Sequence, residues 1–168
     1  MTEVTEPRID SFPLLLFLSH RLEYIADSEL KKDDLTTKQY LTIVVIENIY
    51  DHSPSISELA ESLSTTHQNI KQIALQLQKK GFIRIERDEN DKRTSRLNVT
   101  EKNKAYWNSR AKEHEAIVRS FFASLTDSEI QTFSSLLLKV IMGTNETYKK
   151  FREKQETPHN NQKIKMIE

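Results

Sequence analysis

The chain is 168 residues long, with 36% hydrophobic and 30% charged side chains, no cysteine and a formal net charge of zero. A length of this order holds one core with extensions, and the missing thiols exclude disulfides, thiolate zinc sites and a cysteine redox switch. Zero net charge counts against a nucleic-acid partner until its distribution is read: residues 1–66 carry 5 Lys and Arg against 12 Asp and Glu, a net of −7, whereas residues 67–96 carry 8 against 4, a net of +4.

Residues 1–10 are polar and acidic, unlike a secretory signal, and the apolar run Phe12–Leu18 is far short of the ~20 residues a membrane span needs. A cytoplasmic protein without a membrane segment is expected. A first helix is predicted from Ser11 to about Lys31, with Pro13 in its first turn. Leu15, Leu18, Leu22 and Ile25 form one stripe on it, and Leu14, Leu16 and Phe17 add apolar surface outside that stripe, so this helix needs more than one partner. The carboxylates Asp27, Glu29, Asp33 and Asp34 read as a solvated helix end, with no partner acid in an apolar setting for catalysis. A second helix is predicted over Leu35–Tyr50, with Tyr40, Leu41, Val44, Val45 and Ile49 as its core side, and Asp51–Pro54 as a loop.

Ser55 and Glu58 have the spacing of a capping box, which opens a short helix with Leu59, Ala60 and Leu63 on its apolar face. Ser64, Thr65 and Thr66 end it, and Thr66 suits the N-cap of a further helix from His67. On that helix Ile70, Ile73, Ala74 and Leu77 recur at i, i+3, i+4 and i+7 as a buried stripe. The other side carries Gln68, Asn69, Lys71, Gln72 and Gln76, and Gln or Asn can bond an adenine edge twice in the major groove. Leu75 is an apolar residue on this polar side for which the sequence offers no reason. Gly81 follows the basic pair Lys79 and Lys80 as a helix stop. Phe82, Ile83 and Ile85, a polar turn over Arg87–Arg93, then Leu97 and Val99 make a two-stranded hairpin.

A solvated amphipathic helix and a solvated charged turn would carry the same residues singly. Their succession, short helix, three-residue turn, second helix and hairpin, is that of a winged helix-turn-helix. In that reading Thr66, His67, Gln68, Asn69, Lys71, Gln72, Asp91, Lys92, Arg93 and Arg96 are the DNA-binding candidates. Arg93 at the hairpin tip would enter a minor groove, oriented by Asp91 through a charge-assisted bond.

After the wing, Thr100 caps a long helix predicted to run to about Ser124. Thr126 and Glu129 then form another capping box, which opens a helix with Ile130, Phe133, Leu137, Val140 and Ile141 inward and Leu136 and Leu138 off that stripe. Surplus apolar area on the first helix and the last two marks an interface. The predicted organisation is a dimerisation helix over 10–34, a winged helix-turn-helix over 35–100, C-terminal dimerisation helices over 101–152 and a disordered tail over 153–168. The fold class is mainly α with a two-stranded β wing. The five histidines are scattered without a second ligand one helical turn away, and no metal, cofactor or catalytic constellation is expected.

The stretch resembles the DNA-binding core of the MarR family, whose wing runs roughly Asp-x-x-Asp-(Arg/Lys)-Arg and continues through a strand into Leu-Thr-Glu-Lys-Gly. Here the residues are Asp88-Glu89-Asn90-Asp91-Lys92-Arg93, then Val99-Thr100-Glu101-Lys102-Asn103, and Leu35–Leu41 is similar to the family's lead into its second helix. The similarity runs from about residue 10 to 150. Glu89 stands where the family has Pro, Asn103 where it has Gly, and His67 and Gln72 where Arg is common. The resemblance implies a homodimeric transcriptional regulator, most often a repressor, on a pseudo-palindromic double-stranded DNA site. It also implies a cleft for a small aromatic or anionic effector near His20, Arg21, Tyr24 and Tyr40, although both tyrosines equally suit a core with hydroxyls at its edge. The competing expectation is a helical dimer using the same surface for protein contacts, with no sequence-specific DNA binding.

Overall fold

The computed structural model describes residues 6–156. In chain order the elements are α1 (Pro7–Leu30), a 3₁₀ turn (Lys31–Asp33), α2 (Thr37–Asn48), α3 (Ile56–Ser62), α4 (His67–Lys80), β1 (Ile83–Arg87), β2 (Ser95–Val99), α5 (Glu101–Phe121) and α6 (Asp127–Glu156). The chain divides into two compact units, the first ending at Arg110 and the second beginning at Ala111.

In the first unit α1 begins earlier than predicted. Pro7 takes the first-turn position, where a missing N–H is harmless, and Pro13 lies inside the helix. The start of α2 is fixed by a capping box: the Thr36 hydroxyl accepts the Gln39 N–H at 3.2 Å, and the Thr36 N–H donates to Gln39 Oε1 at 3.3 Å.

The predicted core side of α2 is corrected. Gln39, Thr42, Ile43 and Ile46 are its buried residues, Tyr40 and Val45 pack at the edge, and Leu41 and Ile49 face outward. The residues from Leu41 to Ile46 are apolar with one exception, so periodicity cannot choose a face there; polar satisfaction does. Thr42 returns its hydroxyl to the Lys38 carbonyl at 2.8 Å, and Gln39 is bonded at both ends of its amide, so both are buried without an orphaned polar atom.

Around Ile43, Leu59, Ile70, Leu77, Ile83 and Leu97 the core closes from α2, α3, α4 and the hairpin, as the α3 and α4 stripes predicted. An aromatic run extends it into α5: Phe82 meets Tyr106 edge-on at 5.2 Å, Tyr106 meets Trp107 at 4.9 Å, and Trp107 meets Tyr40 at 5.2 Å. The strands pair antiparallel with Ile83 opposite Val99 and Arg87 opposite Ser95, and Ser55 adds an isolated bridge to Arg96.

Helix α3 ends in a Schellman motif. The Ser64 N–H bonds the Glu61 carbonyl at 3.1 Å and the Thr65 N–H bonds the Ala60 carbonyl at 2.9 Å, with Ser64 left-handed at φ 50°. A serine there carries roughly 1–2 kcal/mol of left-handed strain. Ser64→Gly should therefore stabilise the protein by about 0.5 kcal/mol or more, after subtracting the greater freedom of glycine in the unfolded chain. Thermal unfolding checks this, and a lower melting temperature for the variant would contradict it.

In the second unit the Thr126 and Glu129 capping box opens α6 as predicted, with mutual bonds of 2.8 and 3.4 Å. Ile130, Phe133 and Leu137 are half-buried, and Phe122 meets Phe133 at 6.3 Å. Val140 and Ile141, predicted inward, are about half exposed. The helix continues to Glu156, past the predicted start of the tail at residue 153; the rest of that tail lies outside the described residues.

Candidate nucleic-acid interface

The turn between α3 and α4 is braced from α4 itself. Thr66 caps α4 by accepting the Asn69 N–H at 3.1 Å, and the Asn69 side-chain amide donates to Thr65 Oγ1 at 2.8 Å. Asn69 is thus committed to holding the turn, a role its sequence position did not suggest. Thr66, His67, Gln68, Lys71 and Gln72 are exposed on the same helix. With Ile70, Ile73, Ala74 and Leu77 buried, Gln68, Gln72, Leu75 and Lys79 fall on the line directly opposite them.

The far end of α4 is seated on the α1–α2 corner. Gln76, read from sequence as part of the outward polar face, accepts from Gln39 Nε2 at 2.8 Å. Lys80 Nζ donates to Gln39 Oε1 at 3.2 Å and to the Asp34 carbonyl, and its charge lies 3.2 Å from the Asp34 carboxylate. The helix ends at Gly81, left-handed at φ 78°, where a Cβ would come 3.3 Å from Lys102 Cδ.

At the hairpin tip two aspartates organise the backbone. Asp88 Oδ1 accepts the N–H groups of Asn90 and Asp91 at 2.8 and 2.9 Å; Asp91 accepts the Arg93 N–H at 3.0 Å and the Thr94 hydroxyl at 2.8 Å. The expected bond from Asp91 to the Arg93 guanidinium is replaced by one to the Arg93 backbone, because a carboxylate two residues before an N–H closes a local turn on it. The effect still serves the tip: with its loop pinned, the side chains of Lys92 and Arg93 point from it exposed.

Arg96 is turned inward, away from the exposed group it was predicted to join. Its Nε donates to Asp88 Oδ2 at 2.6 Å and one terminal nitrogen donates to Glu58 Oε2 at 3.1 Å and the Ser53 carbonyl at 3.3 Å. Glu58 is also half of the α3 capping box, accepting the Ser55 N–H at 2.7 Å, and its other oxygen meets His52 Nε2 at 2.9 Å. A polar chain thus runs from the loop before α3, through the α3 N-terminus, to the wing tip.

Burial pushes the Glu58 carboxyl up, but bonds from Ser55 and the neighbouring His52 outweigh it and hold the group at about 2. The Arg96 guanidinium and the Asn90 and Asp91 amides hold Asp88 at about 2 as well. Both groups bind protons more weakly folded than unfolded, so their stabilisation is present above the ordinary carboxylate range and is lost as pH falls. His52 is shifted up by its bonds to Asp51 and Glu58, so its contribution has the opposite sign and fades as pH rises. The melting temperature should fall as pH is lowered from 4.5 toward about 2. Asp88→Asn should melt lower at neutral pH and show a shallower acid decline; identical acid profiles for the two proteins would contradict the assignment.

The profile of the MarR family matches residues 35–95. The HTH-type transcriptional regulator YybA of Bacillus subtilis is 32% identical over 124 residues, covering 73% of this chain and 81% of that protein. This chain belongs to the MarR family. Its fold matches the MarR protein from Peptoclostridium difficile with a TM-score of 0.73 at 22% identity, over 90% of this chain and 96% of that one. The MepR protein of S. aureus, solved as a DNA complex, matches with a TM-score of 0.65 at 18% identity, over 77% and 95% of the two chains.

Within this MarR-family chain the departures from the family pattern acquire roles. Asn103, in place of glycine, is fully buried: its Nδ2 donates to Glu47 Oε1 at 3.0 Å and its Oδ1 accepts the Trp107 Nε1–H at 3.1 Å, tying α5 to α2. Glu89, in place of proline, is exposed, and Asp88 closes the wing turn without the rigid ring. Of the residues expected around an effector, His20 and Tyr24 are exposed, the Arg21 guanidinium lies over the Phe17 ring at 4.8 Å, and Tyr40 is packed on Trp107. None of the four lines the open trough of about 630 Å³ that Glu47, Tyr50, His52, Asn98 and Lys104 help to form. Among the described residues no helix is long and apolar enough to cross a membrane.

Proposed function

We propose that this chain is a homodimeric transcriptional regulator that binds a pseudo-palindromic double-stranded DNA site, one winged-helix lobe per half-site. It acts by binding rather than catalysis, repressing where its site overlaps sequence that transcription needs. The observation that carries this is the pairing of an outward polar line on α4 with a pinned wing tip that presents Lys92 and Arg93. The helix offers base-reading groups and the tip offers cations at phosphate or minor-groove distance. The homodimer is supported by exposed Ile9, Phe12, Leu14, Leu16 and Phe17 on α1 in the first unit and by exposed Leu136, Leu138, Ile141 and Met142 on α6 in the second, apolar areas that a second copy would cover.

Selection of bound duplexes from a random pool tests the reading. A two-fold symmetric sequence should be enriched, and the logarithm of its affinity should fall steeply and linearly with the logarithm of salt concentration, because counterions released into more concentrated salt gain less entropy. No enrichment, with any binding insensitive to salt, would overturn it in favour of a protein-contact module.

A further inference from the structure

Leu75 serves no packing role comparable to its neighbours on α4. It is 45% exposed, whereas Ile70, Ile73, Ala74 and Leu77 across the helix are at 7% or less. A lone exposed leucine is ordinary on a protein surface. This one stands on the outward line, seven residues after Gln68, three after Gln72 and four before Lys79, so it shares whatever surface those side chains meet. A leucine has no hydrogen-bond donor or acceptor to offer a base edge. In the major groove the only apolar group among the four base pairs is the C5-methyl of thymine.

We infer that Leu75 is a specificity-determining residue that reads a thymine methyl group, an inference that rests on the DNA-binding reading above. At 1.5 Å per residue Leu75 lies about 10 Å beyond Gln68 along a helix that runs in the major groove, enough to meet a base pair roughly two or three steps away. The thymine is therefore placed roughly two or three steps from the base that Gln68 contacts. Lys71 and Lys79, one turn to either side of Leu75, are placed to meet phosphates.

Three proteins and one set of duplexes test this. Wild type, Leu75→Ala and Gln68→Ala are each used to enrich a random duplex pool, alanine being the stronger helix former, so that the helix is retained. Every thymine of the wild-type site is then replaced in turn by uracil, which removes only the methyl group. The expected result is one thymine enriched by wild type and not by Leu75→Ala, roughly two or three steps from the position whose preference Gln68→Ala relaxes. Uracil there weakens wild type about fourfold, equivalent to ~0.8 kcal/mol, the value of one buried methyl-sized group, and leaves Leu75→Ala unchanged. If wild type and Leu75→Ala enrich the same base at every position, or lose equally to uracil, Leu75 does not read the methyl while the DNA-binding reading stands. If neither enriches any sequence, the DNA-binding reading has failed and this inference falls with it.

Discussion

Replacing Ile70 by alanine lowers the stability of the winged-helix unit by about 2–5 kcal/mol, the cost of a large-to-small change at a site that cannot collapse. Ile70 is fully buried on the one face of α4 that meets the core, and Ala74 beside it is already small. Chemical unfolding of the variant against wild type measures the difference, with Leu75→Ala on the opposite face as a control expected within about 0.5 kcal/mol. A change that is a large fraction of an ordinary domain's stability also removes the DNA surface on warming, so specific and random DNA should be released together as the variant melts. An unfolding midpoint for Ile70→Ala equal to that of the control would mean that α4 is not seated on this core.

The second large effect is at the wing. Lys92→Ala combined with Arg93→Ala should reduce the slope of log affinity against log salt by about two, at roughly 0.9 for each phosphate no longer neutralised. At low salt the affinity should fall roughly a hundredfold, from ~1.5 kcal/mol for each charge-assisted bond removed. The loss should be alike on the selected site and on random DNA, because cations that meet phosphates position the protein without reading sequence. Titrations of both DNAs at two salt concentrations decide the matter. An unchanged slope would show that the tip does not touch the duplex.

The contrast between α4 and α2 shows where sequence reasoning reached and where it stopped. The α4 stripe is interrupted by glutamines and lysines, so its period, cap and stop at Gly81 were all legible, and the structure agrees with each. On α2 the run from Leu41 to Ile46 has no polar interruption strong enough to choose a face, and the choice is made by Gln39, whose partner Gln76 lies 37 residues away. Arg96 is the same case: a strand arginine next to a charged tip reads as a DNA contact, and only the fold brings Glu58, 38 residues distant, within its reach. The Ser55 and Glu58 spacing revealed the capping box, but one carboxylate oxygen was left without a visible use. Buried Asn103 could be flagged only as a departure from the family's glycine; its link between Glu47 and Trp107 spans two helices. Helix caps and stops were legible, whereas the long-range polar pairings, and the short bonds of Asn69 and Asp91 that brace the turn and the wing tip, were not.

The two ends of the proposed DNA face are fastened by different kinds of bond, which has a consequence for behaviour in changing media. At the α4 end a neutral amide bond from Gln39 to Gln76 stands beside the Lys80–Asp34 ion pair, so part of that grip carries no charge. An amide neither titrates over the physiological range nor attracts an ion atmosphere. The wing is fastened through the ion pairs of Arg96 with Asp88 and Glu58, whose carboxylates acid neutralises and whose attraction salt screens. Rising ionic strength or acidity should therefore loosen the wing before the helix leaves its seat. A footprint recorded across a salt series would shrink from its flanks inward, with protection of the major groove outlasting that of the neighbouring minor groove.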